Sequence, residues 1–278
     1  MKKFISLLII SLMFLSQAEA KGRENNWAEM KLKGKVKSVK ESKYEPAEKT
    51  VSRQKETLTD RRTIVFNEKG NKIESYRYNP DGGLKTKSVN MFNSAGNIIS
   101  MNSYNGDGTM NWRTAYVYDK NGKKMEQVGY NGSGNPEEKI TYGYDGKGNS
   151  IEEKKFKKDG TLYCSSAYIN DSAGKIIEEK RFKADGTPDW KYTWKYDMHE
   201  NMIETNWYNA DGGLKGKDIY KYDENGNEIE RNSYNADGKL KTKYTFQYEY
   251  DKNLNWTKRI EFENDVQVSA LLREIEYF

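Results

Sequence analysis

YKYDENGNEIERNSYNADGKL, Tyr220 to Leu240, holds three tyrosines, two glycines set after polar residues, and a dense scatter of Asp and Asn. Either these side chains form a site, or they mark where the chain turns and packs. The rest of the chain decides. Taking Gly226 as position zero and stepping back by 26 residues gives Glu200, Gly174, Gly148, Gly122, Gly96 and Gly70. FNEKGNKIESYRYNPDGGL at Phe66 matches YDENGNEIERNSYNADGKL at Tyr222 nearly column for column. Self-similarity at a fixed period is the signature of a repeat architecture.

The columns have steady characters. Position +3 is Ile or Met, from Ile73 to Ile229. Position +8 is aromatic in every unit, from Tyr78 to Tyr234, and +12 is glycine, from Gly82 to Gly238. Position +14 is Leu, Met or Pro, +20 is mostly aromatic, and +22 is Tyr or Phe except at Asn170. Each unit therefore reads as a strand, an x-D-G turn, a second strand, and a D-x-x-G-N turn. Glycine reaches positive φ without a steric penalty, and Asp or Asn bonds the local backbone, so both stretches suit hairpins. No segment shows a sustained helical period. The reading is an all-β repeat array of antiparallel hairpins with a 26-residue period, forming one long twisted, coiled sheet.

Residues two apart share a strand face. On that parity +8, +14, +20 and +22 share an aromatic face, and +3 joins them only if each first strand carries a β-bulge between +3 and +8. The other face carries Glu at +4 (Glu74, Glu126, Glu152, Glu178, Glu204, Glu230) and Lys or Arg at +15 or +17. Opposite charges on neighbouring strands keep such a face soluble.

The flanks are worn units. Val39 and Tyr44 keep the spacing of +3 and +8, with extra residues expected as a loop in the Ala47–Arg62 region. Tyr250 restarts the motif without its glycines. The expected division is a leader at 1–20, an N-terminal cap at 21–65, seven repeats at 66–249 and a capping repeat at 250–278. MKKFISLLIISLMFLSQAEA has a basic start, an apolar run and an A-x-A site, the pattern of a secretory signal peptide. Lys21, not Cys, follows the cut, so a lipid-anchored form is not expected. The expectation is an exported chain, periplasmic, secreted or surface-associated.

Composition removes several classes. Lys and Arg number 47 against 42 Asp and Glu, too small an excess to argue for nucleic acid. Mean hydropathy is −1.05. Cys164 is the only cysteine and reads as a small buried filler. His199 is the only histidine and sits in a degenerate turn. No nucleophile elbow, zinc spacing or phosphate loop is present, and a row of Glu at one column is a charge ladder, not an acid–base pair. Neither turn type completes a calcium loop. Neither catalysis, metal nor cofactor is expected. A membrane barrel is disfavoured because Lys and Glu run throughout the polar face.

The Tyr-Asp pairs at Tyr118-Asp119, Tyr144-Asp145, Tyr196-Asp197 and Tyr222-Asp223 resemble the YD-repeat or RHS-repeat family. The resemblance spans Phe66 to about Phe262 and implies a spiralling β-sheet in bacterial exported or surface proteins. Larger members enclose a toxin, and some carry a sugar-binding label. This chain departs from them in its longer unit and small number of repeats. The hairpins such as Asn235-Ala236-Asp237-Gly238 are also similar in architecture to MORN repeats. The expected role is a non-catalytic scaffold or binding module for a glycan or protein at the cell envelope. The alternatives are an enzyme on envelope polysaccharide or an immunity-type partner of a secreted toxin. Residues that break column character are the candidate contacts. Trp207 at +7 is expected on the polar face with Lys215 opposite, and Trp112 and Trp190 stand at +16.

Overall fold

The computed structural model describes residues 25–46 and 56–278. The leader at 1–20 lies outside the described residues, as does 47–55; 56–62, assigned above to a loop region, are strand. A single helical turn, α1 (Asn26–Glu29), precedes the strands. The first six are β1 (Val36–Pro46), β2 (Glu56–Phe66), β3 (Lys72–Tyr78), β4 (Leu84–Phe92), β5 (Ile98–Asn105) and β6 (Met110–Tyr118). Then come β7 (Lys124–Asn131), β8 (Pro136–Tyr144), β9 (Ser150–Lys157), β10 (Leu162–Asn170), β11 (Ile176–Lys183) and β12 (Pro188–Tyr196). The last six are β13 (Met202–Asn209), β14 (Leu214–Tyr222), β15 (Glu228–Asn235), β16 (Leu240–Tyr250), β17 (Trp256–Glu263) and β18 (Val266–Tyr277).

Every strand pairs antiparallel with its sequence neighbour, and β1 also pairs with β18 from Val36↔Tyr277 to Tyr44↔Ala270. The sheet is therefore a closed 18-stranded barrel, which corrects the expected open, coiled sheet. An open sheet would leave the backbone groups of β1 and β18 unpaired along one side; closure removes both edges. The strands that do this come from the two worn flanks, which join each other instead of covering the ends of a stack.

The turns follow their residues. In the D-x-x-G-N turn Gly226 N donates to Asp223 O (3.0 Å) and Asp223 N to Asn227 O (2.9 Å). Asp223 Oδ1 accepts from the backbone N–H groups of Asn225 and Asn227, so the carboxylate is occupied by its own turn. Gly226 has φ 77°; Glu200 takes the same position at φ 66°, which preserves the turn without glycine.

The bulges lie elsewhere than expected, and there are two per unit. Lys221 pairs with Glu230 and Tyr222 with Glu228, which leaves Ile229 (+3) as the extra residue. Ser233 pairs with Thr242 and Tyr234 with Leu240, which leaves Lys241 (+15) as the second. Each bulge sits beside a turn and resets the alternation. Positions +2, +5, +7, +16, +18, +20 and +22 consequently share the enclosed face, where Tyr220, Trp194 and Phe246 are buried. Position +8 is on the outer face, where Lys191 lies 4.2 Å from the Tyr208 ring centre. Position +3 is exposed at Ile99, Met125, Ile151 and Ile229 and half-buried at Ile73, Ile177 and Ile203. The predicted common face of +3, +8, +14, +20 and +22 is thus corrected: only +20 and +22 belong inside.

The outer face carries the Glu ladder in ion pairs with Lys: Glu74–Lys87 (2.9 Å), Glu204–Lys195 (3.0 Å) and Glu230–Lys221 (2.8 Å). Inside, the +22 tyrosines each donate a hydroxyl to the +2 carbonyl beside the bulge, as in Tyr118 to Ile98 O, Tyr144 to Lys124 O and Tyr248 to Glu228 O, all 2.8 Å. Asn170 supplies the same bond from its amide to Ser150 O. Where the column holds Phe92, Asn90 Nδ2 reaches Lys72 O.

Candidate functional site

Eighteen strands make a wide ring, yet side chains on its enclosed face are buried, among them Ser166, Glu179, Trp194, Thr205 and Tyr220. One end is covered. Residues 25–35 turn across the D-x-x-G-N rim and pack inward: Leu32, Val36, Val39, Ile64 and Phe66 form a buried cluster with Trp27, Met30, Ile275 and Tyr277 against it. Trp27 N donates to Gly70 O (3.2 Å), and Lys33 N donates to Asn255 Oδ1 (2.7 Å) while Asn255 Nδ2 donates to Lys33 O (2.8 Å). Lys31 Nζ donates to Gly226 O and Asn201 Oδ1 and sits 5.5 Å from the Tyr222 ring centre. In other units a Lys at +1 fills that place, as with Lys175 over Tyr196 at 4.2 Å. The segment thereby ties together turns from opposite sides of the β1–β18 junction. The mouth at the other end is ringed by the x-D-G turns, such as the one closed by Asn235 N donating to Lys239 O.

The wall beneath that mouth is uneven. On β12 every inward position is aromatic: Trp190, Tyr192, Trp194 and Tyr196 run from the x-D-G end inward. Trp190 and Tyr192 meet edge to face at 4.9 Å, and Tyr192 and Trp194 lie nearly parallel with centres 6.0 Å apart. Trp207 on β13 pairs with Tyr192. On its other side it pairs with Gly216, and its indole occupies the space a Gly216 side chain would fill.

Polar groups border this wall on β11. Arg181 lies 5.5 Å from the Trp190 ring centre and 3.8 Å from Asp189 Oδ2. Glu179 pairs with Tyr192 and accepts a 2.7 Å hydrogen bond from Ser166 Oγ on β10. Burial pushes the Glu179 carboxyl up to about 7; the Ser166 bond opposes this and the nearby Glu153 charge reinforces it. Burial also raises Glu153, against the pull of Lys124 and Arg181. The arrangement joins flat apolar faces to groups that donate and accept hydrogen bonds, the composition of a ligand site.

Two of the four residues picked from the sequence come together here, Trp190 and Trp207. Trp207 lies on the enclosed face, not the polar one, because the +3 bulge shifts its parity. Lys215 is the exposed extra residue of a bulge, and Gly216 stands opposite Trp207 in its place. Trp112 is on the enclosed face of β6, six strands from β12. Sequence reasoning passed over Tyr192, Trp194, Glu179 and Arg181. The available signal was PDWKYTWKY itself, where aromatics alternate along a whole strand. Cys164 is buried at +16, and burial raises its thiol, which disfavours the reactive thiolate.

Comparison with known proteins places the chain in no family: no family model matches, and no curated protein is similar at a significant level. Similar solved structures include a porin-like protein from Bacteroides uniformis ATCC 8492, with TM-score 0.44 and 11% identity over 87% of this chain and 98% of that one. A porin-like protein from Bacteroides vulgatus ATCC 8482 gives TM-score 0.30 and 12% identity over the same shares. The Photorhabdus luminescens Tc holotoxin pore gives TM-score 0.36 and 13% identity over 79% of this chain and 13% of that one. The YD-repeat likeness accordingly rests on the repeat columns.

Proposed function

We propose that the chain is an exported, non-catalytic binding barrel of the cell envelope that admits a glycan or protein at its x-D-G end. The observation that carries this reading is the aromatic wall toward the x-D-G rim, where Trp190, Tyr192 and Trp207 are half-buried and Arg181 borders them, while residues 25–35 pack against the opposite rim. The leader pattern at 1–20 supports export. The barrel stays out of the bilayer, because ion pairs such as Glu74–Lys87 and Glu230–Lys221 interrupt the outer face where a spanning barrel needs an apolar band.

One observation favours a catalytic reading: Glu179 and Glu153 both have raised pKa values and stand on the strands either side of Ser166. A single experiment separates the two. The chain lacking residues 1–20 is incubated with purified envelope polysaccharides, envelope proteins and lipid vesicles. Retention of a polysaccharide or a protein, lost in the Trp190→Ala/Trp207→Ala double variant, is the expected result, with no product and no flotation with vesicles. Product formation abolished by Glu179→Gln would overturn the non-catalytic reading, and flotation would overturn the soluble one.

A further inference from the structure

We infer that the outer face of β4 and β5 holds a docking site for an arginine side chain of a partner protein, laid over the ring of Tyr104. The site is separate from the wall of β12 and β13 and does not depend on it. The repeat shows what this place is built to hold. In four units the cation at +17 covers the +8 ring on the next strand: Arg113 over Tyr130 (5.2 Å), Lys139 over Phe156 (5.6 Å), Lys191 over Tyr208 (4.2 Å) and Lys217 over Tyr234 (5.3 Å). Lys87 pairs with Tyr104 in the same register. Its ammonium turns the other way, to Glu74 (2.9 Å) and the ring of Tyr76 (5.3 Å).

Tyr76 causes the diversion. It stands at +6, opposite Lys87 on β3, and its hydroxyl bonds Glu74, so ring and carboxylate hold Lys87 together. The units whose cation covers the +8 ring have Asn102, Val128, Lys180 or Asn206 in that place. Among the described residues no other cation covers Tyr104, and an open groove of about 370 Å³ lies there. Leu84, Val89, Tyr104 and Asn105 line it; Leu84 and Asn105 are exposed, Val89 and Tyr104 half-buried.

An arginine fits each part of the groove. Its planar guanidinium is weakly hydrated and stacks on aromatic faces. Its methylene stem has Leu84 and Val89 to lie on. Asn105 Nδ2 is committed to Thr109 Oγ1 at 3.0 Å, which leaves Oδ1 to accept a guanidinium N–H. The flanking turns carry Asp81 and Asp107 against the exposed Lys85, so this part of the rim favours a cation. The Lys87 charge is already matched by Glu74 and does not draw an anion. At an exposed ring a cation gains only a factor of about two to five, too little to hold a free small amine. The arginine has to arrive on a protein that makes contacts around it.

The test is an NMR titration of the chain lacking residues 1–20 with blocked pentaglycine peptides whose central residue is replaced by arginine, citrulline or norleucine. Binding is read from the upfield ring-current shift of the central side chain's methylene protons. The arginine peptide should bind about threefold or more tighter than the citrulline peptide, which has the same shape without the charge. Tyr104→Leu should abolish that preference, and Tyr104→Phe, which keeps the ring, should retain it. Tyr76→Asn, which installs the residue found at Asn102 and Asn206, should release Lys87 onto Tyr104 and weaken the arginine peptide about threefold. Tyr76→Asn/Lys87→Met should restore it. Equal affinity for arginine and citrulline, no binding of the arginine peptide, or a preference that survives Tyr104→Leu each overturns the site. So does a Tyr76→Asn variant that binds as the parent does. None of these readouts involves Trp190 or Trp207, so this site can fail while the binding barrel stands, and the reverse.

Discussion

Tyr222 shows how a repeated residue follows from a backbone defect. The bulge at +3 takes one residue out of the ladder, and the Tyr222 hydroxyl donates to the neighbouring Met202 carbonyl at 2.6 Å. Tyr222→Phe keeps the ring and removes that bond, so it should cost about 1 kcal/mol, read as a lower urea midpoint at unchanged slope. Asn170 makes the same contact by different chemistry, so this column is a hydrogen-bond requirement and not only an aromatic one. Glu179 gives a prediction in pH. Its folded-state value of about 7 lies above the ordinary 4.5, so the folded chain holds the proton more tightly than the unfolded chain. The stabilisation is fully present below pH 4.5 and is lost as pH rises through 7, up to about 3 kcal/mol. Acidifying from pH 8 to pH 5 should therefore raise the Tm of the parent relative to Glu179→Gln; parallel Tm curves would refute the assignment. At this scale the sequence singled out Trp190 and Trp207 because they break their columns. It misplaced the face of Trp207 because an Ile at +3 has the look of core, and nothing in its side chain announces a bulge.

The elements were the legible level. Asx-x-x-Gly turns, broken only at Glu200, and x-Asp-Gly turns, broken only at Ser133, mark the units, and the strands lie between them because the turn chemistry is local. The segment 25–35 was not legible, because its partners are backbone groups of turns far away in sequence. Gly70 tests how firmly that segment is seated. It has φ 80°, and a side chain there would overlap the Trp27 indole and Asn25. Gly82 has φ 93° and open space around it. Gly82→Ala should cost about 1 kcal/mol, the left-handed strain alone. Gly70→Ala should cost that plus the displacement of Trp27, and it should expose the peptide bonds after Lys31 and Lys33 to trypsin. Equal midpoints and equal digestion of the two variants would mean that the segment is not held at the 67–71 turn.

Closure is a property of the whole molecule, and no column encodes it. Each hairpin is specified by its own turns, but the number of strands at which the sheet meets itself depends on accumulated twist and on two flanks more than 200 residues apart. The junction is made specific by charge. Glu41 on β1 is 1% exposed and receives Arg62 from β2 and Arg273 from β18, the latter at 2.9 Å. Burial works against the Glu41 charge, yet the two guanidiniums hold its carboxyl below the ordinary carboxylate range. Arg273 in turn lies 3.4 Å from the Trp256 ring centre, which ties β17 into the same cluster. Removing Arg273 leaves the buried Glu41 charge to Arg62 alone, at a cost of up to about 3 kcal/mol, whereas an exposed pair contributes under about 1 kcal/mol. Arg273→Met should therefore lower the denaturant midpoint far more than Lys195→Met, whose partner Glu204 is on the outer face. Adding Glu41→Met to Arg273→Met should recover part of the loss, because the buried charge is then gone. The barrel gains from the junction only if the seam must hold for the whole sheet to hold, so Arg273→Met should still unfold in one transition by both near-UV circular dichroism and tryptophan emission. An early transition confined to β1, β17 and β18, with the remaining strands unfolding at the parent's midpoint, would show instead that the hairpins stand by themselves and that closure follows from the array without stabilising it.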